Sequence, residues 1–183
     1  MRTGQNLPQI ILPSLDGREF NSDSLKGKKH IITFFRFATC PFCNLRLMEL
    51  SNIHDKLGEN FEIVGIFPSE IEHLRKHTNK HTSKFPILSD CDLKYYRKFR
   101  VKKSFLGMIK GIVFRMPSLW KSMKAGNVPL EFSSRVLIMP LSLLVDEKGI
   151  VQEIYHGKDE GDHIPINRVV EFSKTGKTYN EIA

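Results

Sequence analysis

Residues 30–37 carry Ile31, Ile32, Phe34, Phe35 and Phe37 around Thr33 and Arg36, a nearly continuous apolar run that predicts a buried strand. After it the period changes. Leu45, Leu47, Met48 and Leu50 recur at helical spacing, and the helix they predict ends near Gly58. Upstream, residues 10–12 and 18–20 read as a hairpin turned at Asp16-Gly17. Downstream, residues 61–67 predict a second buried strand, residues 69–80 a helix capped by Ser69, and residues 85–88 a short strand. Asp90 is expected to cap a helix running to Arg100. Residues 141–145 and 150–155 form a predicted hairpin over Asp146-Glu147-Lys148-Gly149, and residues 164–174 a closing helix. Strands alternating with helices, then a hairpin and a helix, imply one α/β sandwich around a mixed sheet.

The junction between the first strand and helix holds Cys40-Pro41-Phe42-Cys43. A two-residue gap across a first helical turn brings two sulfurs within disulfide reach, and the helix N-terminus favours a thiolate. Cys40 is therefore the candidate nucleophile, facing solvent and free N–H groups, and Cys43 the resolving thiol one turn deeper. A zinc half-site or a pair of inert cysteines are the alternatives. Zinc needs a second ligand pair, and Cys91 stands alone between Asp90 and Asp92. Cys91 is read as a free cysteine at a helix start rather than a second resolving thiol. His73, His77 and His81 recur every four residues, a row read as a solvated face rather than a metal site.

A chain of 183 residues with 40% hydrophobic content can bury one sizeable core, so residues 1–183 are taken as one domain. Three cysteines are too few for a disulfide-stapled scaffold, and no leader-like or membrane-spanning run is seen, so a reducing, cytoplasmic setting is expected. The chemistry requires no metal or organic cofactor.

The charge is uneven. The net +8 comes from 28 Lys and Arg against 20 Asp and Glu, yet no acidic residue lies between Asp92 and Glu131. Ten basic residues fall in that interval, and without them the chain holds 18 basic and 20 acidic residues. Residues 102–128 form a basic insert whose apolar positions, Phe105 to Met123, suit two short amphipathic helices broken at Pro117. It is read first as a cap on the sheet, with weak contact to an anionic membrane surface and a homodimer or partner contact as alternatives. Nucleic acid is not expected, since the basic residues are interleaved with aliphatics rather than a stacking platform.

The opening Leu12-Pro13-Ser14-Leu15-Asp16-Gly17, the cysteine turn, Phe85-Pro86-Ile87-Leu88-Ser89-Asp90 and Leu143-Leu144-Val145-Asp146-Glu147-Lys148-Gly149-Ile150 together resemble the alkyl hydroperoxide reductase/thiol-specific antioxidant family, in its peroxiredoxin-like branch with a thioredoxin fold. The resemblance implies a thioredoxin-like sandwich with the insert preceding the penultimate strand. It also implies that Pro140 is a cis-proline packed against the cysteine turn, leaving the Met139 backbone free for an extended substrate. A trans proline opening a strand is the alternative.

Typical peroxidases of this family carry a proline seven residues and a threonine or serine three residues before the reactive cysteine. Here those places hold Thr33 and Phe37, and the family's later arginine falls on Pro140. Arg36 and Arg135 could substitute. The reading favoured on these grounds is a thiol-disulfide reductase cycling Cys40 and Cys43, with Pro140 shaping the groove. A peroxidase acting on hydrogen peroxide or alkyl hydroperoxides is the alternative, and a redox-sensing membrane-surface or partner-binding module a further one. Thioredoxin or a small thiol would supply electrons in either catalytic case.

Overall fold

The apolar run becomes the central strand, β3 (Lys29–Phe34), of a five-stranded sheet. The computed structural model describes residues 1–78, 84–114, 120 and 134–178. Around β3 are β4 (Phe61–Phe67), β5 (Ile87–Ser89), β6 (Leu141–Val145) and β7 (Val151–His156), in the order β5-β4-β3-β6-β7. β3, β4 and β5 run parallel, while β6 pairs antiparallel with both β3 and β7. The hairpin β1 (Ile11–Pro13) and β2 (Glu19–Asn21) pairs Leu12 with Phe20 as a separate two-stranded sheet.

Alternation along the strands feeds two cores. Ile31 and Phe35, with Phe61, Ile63 and Phe67, face the side covered by α1 (Pro41–Ile53) and α5 (Ile166–Thr175), which contribute Leu47, Leu50, Val169 and Phe172. Ile32, Phe34, Val64 and Ile66 face Ile10, Leu12 and the aromatics Tyr95, Tyr96 and Phe99 in and after α3 (Lys94–Lys98). α2 is Ile71–Thr78, and α4 is Phe105–Phe114.

Most predicted elements are found within a few residues, and Asp90 caps α3 by accepting from the N–H groups of Lys94, Tyr95 and Tyr96. Ser69 does not cap α2. Its hydroxyl is buried without a protein hydrogen bond, and the helix opens instead with the Glu70 carbonyl accepting from Leu74. His81 and the expected second helix of the insert lie outside the described residues.

Pro140 is a correction. No peptide bond among the described residues is cis, so Met139–Pro140 is trans. Lacking an N–H, Pro140 forfeits no ladder bond at the entry to β6, and its carbonyl accepts from Gly157 at 2.9 Å. Nor is the Met139 backbone free: its N–H donates to the Lys102 carbonyl at 2.8 Å, while Ser104 donates to Leu137 at 2.8 Å. The start of the insert thus already fills the edge that an extended substrate was expected to use.

Candidate active site

Cys40 is the N-cap of α1, with extended backbone (φ −65°, ψ 118°), and Pro41 follows in the first turn, where its missing N–H costs nothing. The Cys40 sulfur accepts from the Cys43 N–H at 3.4 Å, and the Cys43 sulfur accepts from the Arg36 N–H at 3.4 Å. Asn44 fastens the turn, its side-chain amide donating to the carbonyls of Ala38 and Cys40. Both cysteines are free thiols. Contrary to expectation, Cys40 does not face solvent: like Cys43 it is fully buried, because Phe37, Ala38 and Phe42 close the core around the turn.

Arg36 is the residue that the motif alone does not single out. It sits four positions before Cys40 with a side chain 2% exposed, and all three of its guanidinium nitrogens are used. Nε donates to the Ile138 carbonyl at 2.9 Å and Nη2 to the Val136 carbonyl. Nη1 lies 3.5 Å from the Cys40 sulfur and 2.6 Å from Glu160 Oε2. Arg36 is therefore held in a planar frame of two carbonyls and a carboxylate, with its charge against the sulfur. Of the two arginines considered from sequence, Arg36 reaches Cys40. Arg135 Nη2 instead lies 3.5 Å from the Cys91 carbonyl.

Glu160 arrives from the loop after β7, a side chain 6% exposed and 120 or more positions from its partner, with no sequence signal of its own. Gly157 permits the loop to close. A Cβ there would stand 2.5 Å from the Asp162 carbonyl oxygen and 3.0 Å from Pro140 Cδ. Pro140 thus belongs to the packing under the Glu160 loop, one of the walls of the site.

These surroundings split the two thiols. Burial pushes Cys40 up, but the hydrogen bond from the Cys43 thiol, the Arg36 charge and the Cys43 N–H outweigh it and bring Cys40 down to about 7, against an opposing push from Glu160. Cys43 is driven well above the ordinary thiol range, first by burial and then by its contacts with Cys40. Near neutrality about half of Cys40 is thiolate while Cys43 stays a thiol, which fits nucleophile and resolver. Thr39, immediately before Cys40, has a buried hydroxyl that makes no protein hydrogen bond.

Cys91 is half-buried, with its thiol pushed up by burial and by Glu70 and Asp92, and it takes no part in this cluster. His73 and His77 lie edge to face with ring centroids 4.6 Å apart. Among the described residues no three metal-ligating side chains converge.

A family model described as AhpC/TSA matches residues 3–177. Peroxiredoxin Bcp of Escherichia coli is 28% identical over 110 residues, covering 58% of this chain and 70% of that protein. Among solved structures, a peroxiredoxin-like protein from Aquifex aeolicus superposes with a TM-score of 0.69 at 12% identity, over 95% of this chain and 86% of the other. A thiol peroxidase from Chromobacterium violaceum does so with a TM-score of 0.63 at 13% identity, over 96% and 88%. At these identities the structural matches establish the thioredoxin-like fold.

Proposed function

Since the chain belongs to the AhpC/TSA family and is a thiol-dependent oxidoreductase, we propose that it is a two-cysteine peroxidase in which Cys40 attacks a hydroperoxide and Cys43 resolves the product. The observation that carries this reading is the Arg36 guanidinium, 3.5 Å from the Cys40 sulfur and clamped by Glu160. It supplies the fixed positive charge that the sequence pattern had left missing.

The Cys40 thiolate attacks the proximal peroxide oxygen, the O–O bond breaks, and the leaving alkoxide or hydroxide departs as alcohol or water after gaining a proton. Cys40 becomes a sulfenic acid. Arg36 lowers the energy of both the attacking thiolate and the charge that moves onto oxygen, and the Thr39 hydroxyl is left over to bind the peroxide. Cys43 then attacks the sulfenic sulfur and expels water, giving the Cys40–Cys43 disulfide. Thioredoxin or a small thiol returns the pair to the dithiol state, and the reducing conditions this needs suit a cytoplasmic setting.

Disulfide exchange, favoured from sequence by the paired cysteines, Pro140 and the missing peroxidase residues, is supported by the same thiolate and resolver pair. One feature weighs against an extended disulfide substrate: the edge it was expected to use is occupied, the Met139 N–H being already bonded to Lys102. Stopped-flow oxidation of reduced protein by hydrogen peroxide and by cumene hydroperoxide, beside insulin reduction by the same preparation, separates the two. Peroxide oxidation far above that of free cysteine is expected. Insulin reduction with peroxide reactivity no better than free cysteine would install the exchange reading instead.

A further inference from the structure

We propose that α4, at the start of the basic insert, docks the protein on an anionic bilayer surface. Ser104 begins the helix, its Oγ accepting from the Gly107 N–H at 2.9 Å. The inner side is fixed against the domain. Gly107 approaches so closely that a Cβ there would lie 2.8 Å from Met139 Sδ and 3.0 Å from the Lys158 carbonyl oxygen.

The opposite side is apolar and open to solvent. Phe105 is 60% exposed, Leu106 78% and Ile109 42%, and spacings of three and four residues put them on one helical face. Trp120, further along the insert, is 62% exposed. Phe105, Leu106 and Ile109, together at such exposures, mark a surface that another phase or molecule covers.

Charge decides which. Lys102 and Lys103 precede the helix and Lys158 lies beside it, all three exposed. The interval between Asp92 and Glu131 holds ten basic residues and no acidic one. A symmetric dimer through this face would set Lys102, Lys103 and Lys158 of one copy against those of the other. An anionic headgroup layer instead attracts the lysines while Phe105, Leu106 and Ile109 enter the acyl boundary, the arrangement of an interfacial helix. Among the described residues no helix is long and apolar enough to cross a membrane, so the contact is one of lying on the surface.

The test is co-sedimentation of reduced protein, without peroxide, with vesicles of phosphatidylcholine alone or with about 30% phosphatidylserine, at about 0.1 M salt, where headgroup charge still acts over roughly 10 Å. Binding is expected to the phosphatidylserine vesicles and to weaken at high salt. Lys102→Gln with Lys103→Gln should weaken it by about 25-fold, at about fivefold per lysine. Leu106→Glu with Ile109→Glu should abolish it while peroxide consumption stays unchanged, showing an intact domain. Equal or absent binding to the two vesicle types overturns the proposal, as does retained binding by Leu106→Glu/Ile109→Glu. A concentration-dependent dimer lost in that variant, without vesicle binding, would assign the face to a second copy and equally overturn it.

Discussion

Removing Arg36 should cost the enzyme most of its reactivity at neutral pH and shift what remains to higher pH. With Cys40 at about 7, half of it is thiolate at pH 7. Without the guanidinium the thiol rises toward its ordinary value of 9.0, where about 1% is ionised, with the hydrogen bonds from Cys43 still holding it down in part. The loss from ionisation alone is therefore at most about fiftyfold, equivalent to about 2–3 kcal/mol. Loss of charge stabilisation on the departing oxygen adds about another tenfold or more. Arg36→Met alone would strand Glu160 in the interior and risk unfolding, since breaking a buried pair costs about 3–5 kcal/mol. Arg36→Met with Glu160→Leu removes both charges and tests the same point in a folded protein. Hydrogen peroxide consumption by stopped flow, from pH 5.5 to 9.5, reads the total effect. Iodoacetamide labelling of Cys40 over the same range reads ionisation alone. Labelling should recover toward wild type above pH 9 while peroxide reactivity stays depressed. A double variant that consumes peroxide within threefold of wild type at pH 7, with an unmoved pH profile, would refute the role given to Arg36.

Cys40 ionises more readily folded than unfolded, so it stabilises the reduced protein above its unfolded value of 9.0, and that contribution is lost as pH falls through about 7. Urea unfolding under a reductant should therefore show the deficit of Cys40→Ser growing between pH 6 and pH 9, by about 2–3 kcal/mol. Cys43→Ser should accumulate a sulfenic acid on Cys40 after peroxide, seen as one added oxygen by mass spectrometry, whereas Cys40→Ser should consume no peroxide; wild-type turnover by Cys43→Ser would remove its resolving role. Gly157→Ala, forcing a Cβ against the Asp162 carbonyl, should destabilise by about 1–3 kcal/mol and lower peroxide reactivity by displacing Glu160, while unchanged stability would show that the loop yields freely.

The sheet was legible because β3 and β4, buried on both faces, stand out as apolar runs, and because β6 and the half-buried β7 form a hairpin over Asp146-Glu147-Lys148-Gly149. The cysteine turn was equally plain, since spacing and a helix start sufficed. Arg36 was named from sequence only as one of two arginines that could substitute for the family's own, although the run itself marks it out. It is the one ionisable residue between His30 and Cys40, and a charge in such a run must find buried partners. Glu160 carried no such mark, because its meeting with Arg36 depends on a loop closing at Gly157 and on a register set across the whole sheet. Pro140 was misjudged for a related reason. Its position before β6 follows from the strand pattern, but the engaged Met139 N–H follows from residues 102–104 lying alongside, a pairing between distant segments that no local period announces.

The most direct test of the account is a single turnover of reduced protein with one equivalent of hydrogen peroxide, quenched by acid and alkylation and mapped by mass spectrometry. One peroxide should be consumed for each Cys40–Cys43 disulfide formed, with Cys91 left as a free thiol. Peroxide persisting with both thiols alkylated, or oxygen appearing on Cys91 instead, would contradict it.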